Sequence, residues 1–206
     1  MSAVTPEAAA AFLAERDAVL ARIIAEVGAP SLRPNANLFE SLAGAIVGQQ
    51  ISVRAAAAIR RRLAALMSNA ASLTPEGILA CSVESLRSAG LSRSKAAYLL
   101  DLAGKVQAGM VDLEHISTLE DEAIITELTQ VKGIGRWTAE MFLIFSLNRL
   151  DVLPVADLGF RTAMRRSYGF DHLPTPEEIR TIATAWTPYR SIATWYLWRS
   201  LQLDPL

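Results

Sequence analysis

The sequence predicts an all-α protein made of two packed helical lobes, with the cleft between the lobes as the natural place for a binding site. Apolar residues recur at spacings of three and four along most of the 206 residues, which is the period of an amphipathic helix. Alternating strand patterns are absent, and Gly, Pro, Ser and Thr collect in the connecting segments. With 51% hydrophobic and 20% charged residues, the chain is able to bury a sizeable core. The predicted helices cover 7–27, 38–47, 53–67, 94–107, 119–128, 136–147, 157–167, 176–185 and 190–201.

Capping signals support the starts of several of these helices. A threonine before a helix accepts hydrogen bonds from the first amides, and a proline at the first helical position has no amide to satisfy. A glutamate three residues after the cap completes a capping box. The predicted starts are the Thr-Pro pairs at Thr5, Thr74 and Thr175, with capping-box spacing at Ser117 and Glu120 and at Thr175 and Glu178.

Composition excludes several classes of protein. No apolar run reaches the roughly 18 residues of a membrane span, because residues such as Glu140 and Asp151 interrupt the longest candidate. The first thirty residues carry acidic and basic side chains inside their apolar pattern, which excludes a secretory signal. We therefore expect a cytoplasmic protein without a membrane segment. The single cysteine, Cys81, excludes an internal disulfide, and His115 and His172 lack the ligand spacing of a zinc or iron–sulfur site.

Charge is unevenly distributed along the chain. The net charge of −1 gives no global reason to expect nucleic acid. The segment 128–170, however, carries six basic residues against three acidic ones. A phosphate-binding face is one interpretation of this segment, and an ordinary solvated basic face is the other.

Two glycines stand one residue apart between two predicted helices, in the stretch Lys132-Gly133-Ile134-Gly135. In one interpretation this is a simple helix corner, where Gly133 adopts positive φ and Gly135 allows close packing. In the other, the amides of the turn and of the following helix hold a phosphate, with Lys132 and Arg136 flanking it. The stretch is not a Walker loop or a dinucleotide-binding fingerprint, because the third glycine and the preceding strand are missing.

Five segments together resemble one family. "LTQVKGIGRWTAEMFL" (128–143) and "VLPVADLG" (152–159) resemble the helix–hairpin–helix, glycine/proline-rich loop and aspartate of the base-excision DNA glycosylases. "LAGAIVGQQISVRAAAAI" (42–59), "GLSRSKAAYLLDLA" (90–103) and "WTPYRSIATWYLWR" (186–199) are similar to segments of the 3-methyladenine DNA glycosylase II branch. The order of the segments makes the set far more specific than any one of them.

The resemblance implies a compact form of the fold, with the two helical lobes and without the β-rich N-terminal domain that some members carry. One lobe would cover about 38–110 and include the wedge segment. The other would contain 1–37 and 111–206, with the hairpin at 119–147 and the catalytic loop at 148–157.

Asp157 matches the catalytic aspartate of the family. Cleavage of an N-glycosidic bond passes through an oxocarbenium-like sugar, which a carboxylate stabilises while it orients or deprotonates water. A helix cap is the other interpretation of Asp157, and both roles are compatible. Trp137 stands where bifunctional relatives carry a Schiff-base lysine, and Lys132 does not replace it, so we expect hydrolysis without strand cleavage. The four cysteines of those relatives' iron–sulfur cluster are also missing.

The resemblance also assigns the remaining site residues. Trp137 and Trp198 match aromatic positions of the base pocket, and Met141 replaces a pocket tyrosine. Gln50 stands at the position of the wedge that fills the gap left by a flipped nucleotide. Helical core positions are the alternative for the tryptophans, and a buried helix-end glutamine is the alternative for Gln50. The DNA backbone would contact Lys132, Gly133, Gly135 and Arg136, and the carbonyls of Thr129, Val131 and Gly133 would hold a structural monovalent cation.

We therefore predict a monofunctional DNA-3-methyladenine glycosylase that acts as a monomer, without a catalytic cofactor, on duplex DNA with damaged bases. The alkylated bases would be of the N3-methyladenine and N7-methylguanine type. The alternatives are a non-catalytic helix–hairpin–helix DNA-binding protein, in which Asp157 is only a cap, and a helical scaffold that binds no nucleic acid. An aromatic pocket distinguishes the first alternative, since a protein that binds only the DNA backbone does not need one.

Overall fold

The computed structural model describes residues 5–32, 35–67 and 72–203, and all of the regular secondary structure in these ranges is helical. This confirms the all-α prediction. No helix in the described ranges is both long and apolar enough to cross a membrane. The helices are α1 (Pro6–Arg16), α2 (Ala18–Val27), α3 (Leu38–Gly48), α4 (Val53–Ala65), α5 (Pro75–Leu79), α6 (Val83–Ser88), α7 (Arg93–Gln107), α8 (Asp121–Thr129), α9 (Arg136–Phe145), α10 (Leu158–Tyr168), α11 (Pro176–Ala183) and α12 (Arg190–Ser200), with 3₁₀ turns at Ile116–Thr118 and Thr184–Trp186.

The helices divide into two compact units. The terminal unit contains Met1–Pro34 and Leu143–Leu206, and the central unit contains Asn35–Phe142. These boundaries differ from the predicted lobes, because 111–142 belong with the central unit and not with the chain ends. The physical reason lies in the hairpin turn between α8 and α9. Its Lys132 amide donates to Asp101 of α7, and its Gly133 carbonyl accepts from Gln49 after α3.

The prediction of a single helix over 7–27 is wrong, because the chain breaks at Asp17 into α1 and α2. Asp17 has an extended backbone, with φ −143° and ψ 108°. Its Oδ1 accepts hydrogen bonds from the amides of Val19 at 2.9 Å and Leu20 at 3.1 Å. Capping the second helix in this way satisfies amides that a continuous helix would have bonded to the preceding turn.

The predicted helix starts are mostly confirmed. Thr5 and Thr74 cap α1 and α5, and Thr175 forms a complete capping box at the start of α11. The capping box predicted at Ser117 is wrong, since this residue lies in a 3₁₀ turn and α8 begins after Glu120. The sequence predicts the start of α5 at Thr74 but not its extent, and it does not predict α6, because helices of five or six residues show too little periodicity.

In the terminal unit, α10 and α12 pack together and α12 also packs against α1 and α2. Asp17 Oδ2 accepts hydrogen bonds from the Tyr168 hydroxyl at 2.6 Å and the Trp186 indole at 2.8 Å. Desolvation and the adjacent Asp17 carboxylate raise the pKa of the Tyr168 hydroxyl far above its usual value. A partly buried aspartate thereby joins the first helices of the chain to the region that carries the candidate catalytic residues.

In the central unit, α7 packs against α3, α5 and α6, and α3 also packs against α4. Leu42, Ile46, Leu86 and Leu99 from these helices are fully buried. Because α7 lies among the other helices, its remaining face is able to contact both the end of α3 and the hairpin. This placement sets the geometry of the candidate site.

Candidate functional site

The hairpin turn connects α8 to α9 through residues 130–135. Gly133 has a φ of 83°, as expected for a glycine at this corner, and a Cβ at this position would lie 2.2 Å from Cδ2 of Tyr98. Gly133 is therefore required both by its backbone conformation and by the ring packed against it. A Cβ on Gly135 would meet no described atom within 4 Å, so packing inside the chain does not explain the second glycine.

The two basic residues beside the turn differ in their partners. Lys132 is exposed, and its backbone amide donates to Asp101 Oδ2 at 2.9 Å. Arg136 makes a bidentate pair with Glu122, and its Nε donates to Glu140 Oε1 at 3.1 Å. The hydrogen bonds with Glu122 raise the pKa of the Arg136 guanidinium and lower the pKa of the Glu122 carboxyl. Arg136 would have to leave two carboxylates before it could bind a phosphate, whereas Lys132 would not.

A cavity of about 430 Å³ lies beside the hairpin. Three residues predicted for the site, Gln50, Trp137 and Met141, share its wall. The Trp137 side chain is 48% exposed, so this tryptophan is not a core residue. The sequence does not predict the remaining lining residues, although the small residues one helical turn apart at the end of α3 are a signal for open space. These residues are Ala45, Gly48, Gln49 and Thr138.

Asp157 is the N-cap of α10, which confirms the helix-cap interpretation. Its Oδ1 accepts hydrogen bonds from the Phe160 amide at 2.6 Å and from the indole Nε1 of Trp198 at 2.9 Å. The carboxyl is only half-buried. Two N–H donors from different helices therefore fix the orientation of a carboxylate that solvent still reaches.

Trp198 lies beside this carboxylate in the terminal unit. Its ring stacks on the ring of Phe145, with centroids 5.6 Å apart and an interplanar angle of 22°. A Cβ on Gly159 would lie 3.2 Å from Asp157 Oδ1 and 3.6 Å from Trp198 Cδ1, so the glycine lets both groups approach. The sequence does not predict a site role for Phe145 or Gly159. Phe145, at the end of α9, is 43% exposed, and the helical periodicity of the sequence does not predict this exposure.

The loop before Asp157 is held by the start of α12. Arg190 donates from Nε and Nη2 to the two carboxylate oxygens of Asp151, each at 2.7 Å. The Ser191 amide donates to the Leu150 carbonyl at 2.9 Å, and the Ser191 hydroxyl accepts from the Val152 amide at 2.9 Å. A bidentate ion pair and two backbone contacts thus fix the loop in front of the candidate catalytic residue.

The predicted cation site depends on backbone carbonyls, which already have partners in part. The Val131 carbonyl accepts from the Ile134 amide at 3.0 Å, and the Gly133 carbonyl accepts from Gln49 Nε2 at 2.8 Å. Each carbonyl oxygen has a second lone pair, so these bonds are compatible with a shared hard cation. Among the side chains of the described ranges, no group of three or more His, Cys, Asp or Glu could hold a metal ion.

Comparison with known families shows that the hairpin, the cavity residues and Asp157 all lie within the match to one family. The family model described as HhH-GPD superfamily base excision DNA repair protein matches residues 43–188. This span contains the turn with Gln49 and Gln50, the hairpin, the cavity residues and Asp157. The chain belongs to the HhH-GPD superfamily.

Similar proteins come from yeast and from bacteria. DNA-3-methyladenine glycosylase 1 of Schizosaccharomyces pombe is 37% identical over 188 residues, which cover 88% of this chain and 82% of the relative. The solved structure of the 3-methyladenine DNA glycosylase of the same yeast, in complex with abasic DNA, has a TM-score of 0.84 and 35% identity, covering 96% of this chain and 98% of that one. A DNA-3-methyladenine glycosidase from Bacillus halodurans has a TM-score of 0.84 and 37% identity, covering 97% and 91%.

In this HhH-GPD protein, the predicted site residues fall into two groups. Gln50, Trp137, Met141 and the hairpin turn belong to the central unit, whereas Asp157 and Trp198 belong to the terminal unit. The groups differ in chemistry: the first offers a ring face, an amide side chain and backbone groups, and the second offers a carboxylate held by N–H donors. The arrangement is able to support both nucleic-acid recognition and hydrolysis.

Proposed function

We propose that this HhH-GPD protein is a DNA-3-methyladenine glycosylase, which flips alkylated bases out of duplex DNA and hydrolyses the N-glycosidic bond. The observation that carries the proposal is the Asp157 carboxylate, fixed by the Phe160 amide and the Trp198 indole at the N-terminus of α10. The names of the similar proteins support the same class of activity. The products are the released base and an abasic site in an otherwise intact strand.

Asp157 stabilises the positive charge that develops on the sugar as the glycosidic bond breaks. The bonding electron pair leaves with the base, and the sugar becomes oxocarbenium-like. A carboxylate fixed in advance lowers the energy of this state because it does not reorganise during the reaction. Water then forms the new bond to C1′ and gives its proton to the carboxylate or to solvent.

Alkylated bases explain why one carboxylate suffices. N3-methyladenine and N7-methylguanine are positively charged in DNA and become neutral when they leave with the bonding electrons. No general acid has to protonate the leaving group, so the second carboxyl group of ordinary glycosidases is unnecessary. At position 137 the side chain is an indole, which cannot form a Schiff base with C1′, so the reaction ends at the abasic site without strand cleavage.

The cavity beside the hairpin receives the flipped base. Trp137 offers a half-exposed ring face, which attracts a flat cationic base more strongly than a neutral one. Met141 shapes the wall with a flexible, polarisable side chain. Gln50 fills the gap that the base leaves in the duplex, where its amide is able to hydrogen-bond the orphaned partner base.

The hairpin anchors the DNA backbone. The exposed Lys132 and the backbone amides of Gly133 and Gly135 contact phosphate, and Arg136 joins them only if it exchanges Glu122 for phosphate. A monovalent cation shared between the carbonyls of Thr129, Val131 and Gly133 would supply a further positive charge for the same phosphate. We also propose that the enzyme is a monomer and acts in the cytoplasm.

The test compares wild type with Asp157→Asn on methylated duplex DNA, by release of base in single turnovers. We expect wild type to free the alkylated bases and to leave sites that break only after alkali. The asparagine variant should bind the same duplex and lose on the order of 100-fold or more in rate, as for the loss of a transition-state contact. A near-normal rate for Asp157→Asn would contradict the catalytic assignment, and strand breaks before alkali would contradict monofunctional hydrolysis.

A further inference from the structure

The turn between α3 and α4 has an unfavourable backbone conformation. Gln50 has a φ of 57°, in the left-handed region that favours glycine, and its side chain is exposed. A side chain with a Cβ is sterically disfavoured in this region. Such a conformation persists only where surrounding contacts impose it, and it is often found where a side chain must be presented to a partner. The contacts that impose it here lie on a different helix.

Lys95 of α7 captures the carbonyls at the end of α3. Its Nζ donates to the Val47 carbonyl at 2.8 Å and to the Gln49 carbonyl at 2.6 Å. The last carbonyls of a helix have no partner within it and carry the negative end of its dipole, so an ammonium group is a suitable cap. Burial lowers the pKa of the Lys95 ammonium, because desolvation disfavours the charged form. The two carbonyl contacts hold the ammonium in place despite this cost of desolvation. The contact fixes the residue directly before Gln50.

The side chain of Gln49 joins the same turn to the hairpin. Its Nε2 donates to the Gly133 carbonyl at 2.8 Å, across 84 positions of sequence. Gly133 is in turn packed against the ring of Tyr98, and the adjacent Lys132 amide donates to Asp101 Oδ2 at 2.9 Å. The two turns are therefore connected directly by Gln49 and indirectly through α7.

Three residues of α7 provide these contacts at a spacing of three. Lys95 holds the end of α3, Tyr98 packs on Gly133, and Asp101 accepts from the hairpin. Residues three apart lie on one face of a helix, so a single rigid element supports both turns. Asp101 is itself held by Lys105 one turn later, at 2.6 Å. Each of these contacts acts on one of the two turns, so this face of α7 contributes by position.

We propose that Lys95 and Gln49 are positioning residues for base flipping. They hold the turn between α3 and α4, the wedge turn, in register with the hairpin. Gln50 then enters the duplex beside the phosphate that the hairpin binds. The inference rests on the proposed function and adds two residues to it. The hairpin determines where the DNA backbone is bound, and Gln50 must fill the gap left by the flipped base at a fixed distance from that point. A shift of about 1 Å in a positioned group is able to cost roughly 100-fold in rate.

The test uses Lys95→Met and Gln49→Met, which keep side-chain length and remove the N–H donors. Duplexes carrying one alkylated base next to 2-aminopurine report flipping, since the fluorescence of 2-aminopurine rises when its neighbour leaves the stack. Three quantities are measured for each variant: the affinity for the duplex, the fluorescence change, and the single-turnover release of base. Thermal melting establishes that each variant is folded, and Gln49→Met, in a surface turn, carries the test if Lys95→Met does not fold.

We expect both variants to bind the duplex nearly as tightly as wild type, because backbone contacts dominate affinity. The fluorescence change and the release rate should fall together by about 10- to 100-fold. The double variant should lose little more than either single variant, because both residues act on one turn. Lys95→Arg, which keeps a positively charged donor, should recover part of the loss.

Matched controls separate this role from loss of charge or of amide groups. Arg93→Met removes a positive charge from the exposed start of α7, and Gln107→Met makes the same exchange at its exposed end. Both controls should flip and release like wild type. If Lys95→Met and Gln49→Met also flip and release at wild-type rates while folded, the positioning role is wrong. If wild type itself neither flips nor releases any alkylated base, the proposed function is wrong and the flipping role falls with it.

Discussion

Two tryptophans of this protein show how differently the two units use the same residue type. Trp137 in the central unit is 48% exposed and presents its ring to a cavity of about 430 Å³. Trp198 in the terminal unit stacks on Phe145 and directs its indole N–H to Asp157. The sequence assigns both to a base pocket. The structure indicates that Trp137 is suited to recognition, whereas Trp198 also supports the carboxylate that would carry the chemistry.

The turn that contains Gln49 and Gln50 and the loop before Asp157 are held by different contacts. In the central unit, Lys95 holds backbone carbonyls and Gln49 bonds a further carbonyl, so the wedge turn is supported through main-chain groups. In the terminal unit, Arg190 makes a bidentate pair with the Asp151 side chain. In the proposed function, the central unit carries the recognition of DNA and the terminal unit carries the catalysis. This division predicts that changes in one unit affect binding or flipping and that changes in the other affect the rate of bond cleavage.

The largest effect should follow Gly133→Ala. The backbone at Gly133 has a φ of 83°, which residues with a Cβ rarely adopt, and the added Cβ would lie 2.2 Å from the Tyr98 ring. We expect the variant to lose about 2–4 kcal/mol in free energy of unfolding, from backbone strain and overpacking together. Its affinity for duplex DNA should also fall. Chemical denaturation and equilibrium DNA binding measure the two effects.

Gly135→Ala is the matched control for this prediction, since a Cβ there meets no described atom within 4 Å. This variant should fold with nearly wild-type stability. A fall in its DNA affinity alone would show that Gly135 serves the approach of phosphate. Equal stability losses in the two variants would contradict the packing argument for Gly133.

The next effect in size should follow Trp137→Ala. Loss of the stacking face should cost about 1–3 kcal/mol on a cationic base such as N3-methyladenine, the usual range for base–aromatic stacking. A neutral base such as hypoxanthine, if it is a substrate, should lose less, because the ring face attracts positive charge. Single-turnover release of both bases by the same folded variant measures the difference, with Trp137→Phe as the control that keeps part of the ring area. Equal losses on the two bases would mean that Trp137 provides only packing.

The smallest effect should follow Trp198→Phe, which keeps a ring on Phe145 and removes the N–H that bonds Asp157. A hydrogen bond to a charged group contributes about 1.5–3 kcal/mol at most, so we expect a loss of roughly 10-fold in single-turnover rate. Affinity for DNA should not change, because the contact lies between two side chains of the terminal unit. Trp195→Phe, a half-buried tryptophan on the same helix, is the control. Identical rates for the two variants would contradict the role of the indole N–H.

Local sequence signals predicted most of the helices correctly, and the failures have local causes. Thr175 and Glu178 lie within one turn of each other and form the predicted capping box. Asp17 was not recognised as a cap, because the apolar period continues across it from α1 into α2. Ser117 has capping-box spacing to Glu120, yet the chain there forms a 3₁₀ turn. Spacing alone does not distinguish these two outcomes.

The sequence by itself determined the all-α class, the family resemblance, the glycine required at Gly133 and the cap at Asp157. Each depends on residue types within a few positions of one another, where helix geometry fixes what is able to touch. Only the tertiary structure decided which distant groups meet. Trp198 bonds Asp157 across 41 positions, Gln49 bonds Gly133 across 84, and Arg136 pairs with Glu122 across 14. Helical periodicity specifies the face on which a side chain lies, but packing between helices specifies its partner, and hydrogen bonds form only at the few ångströms that packing sets.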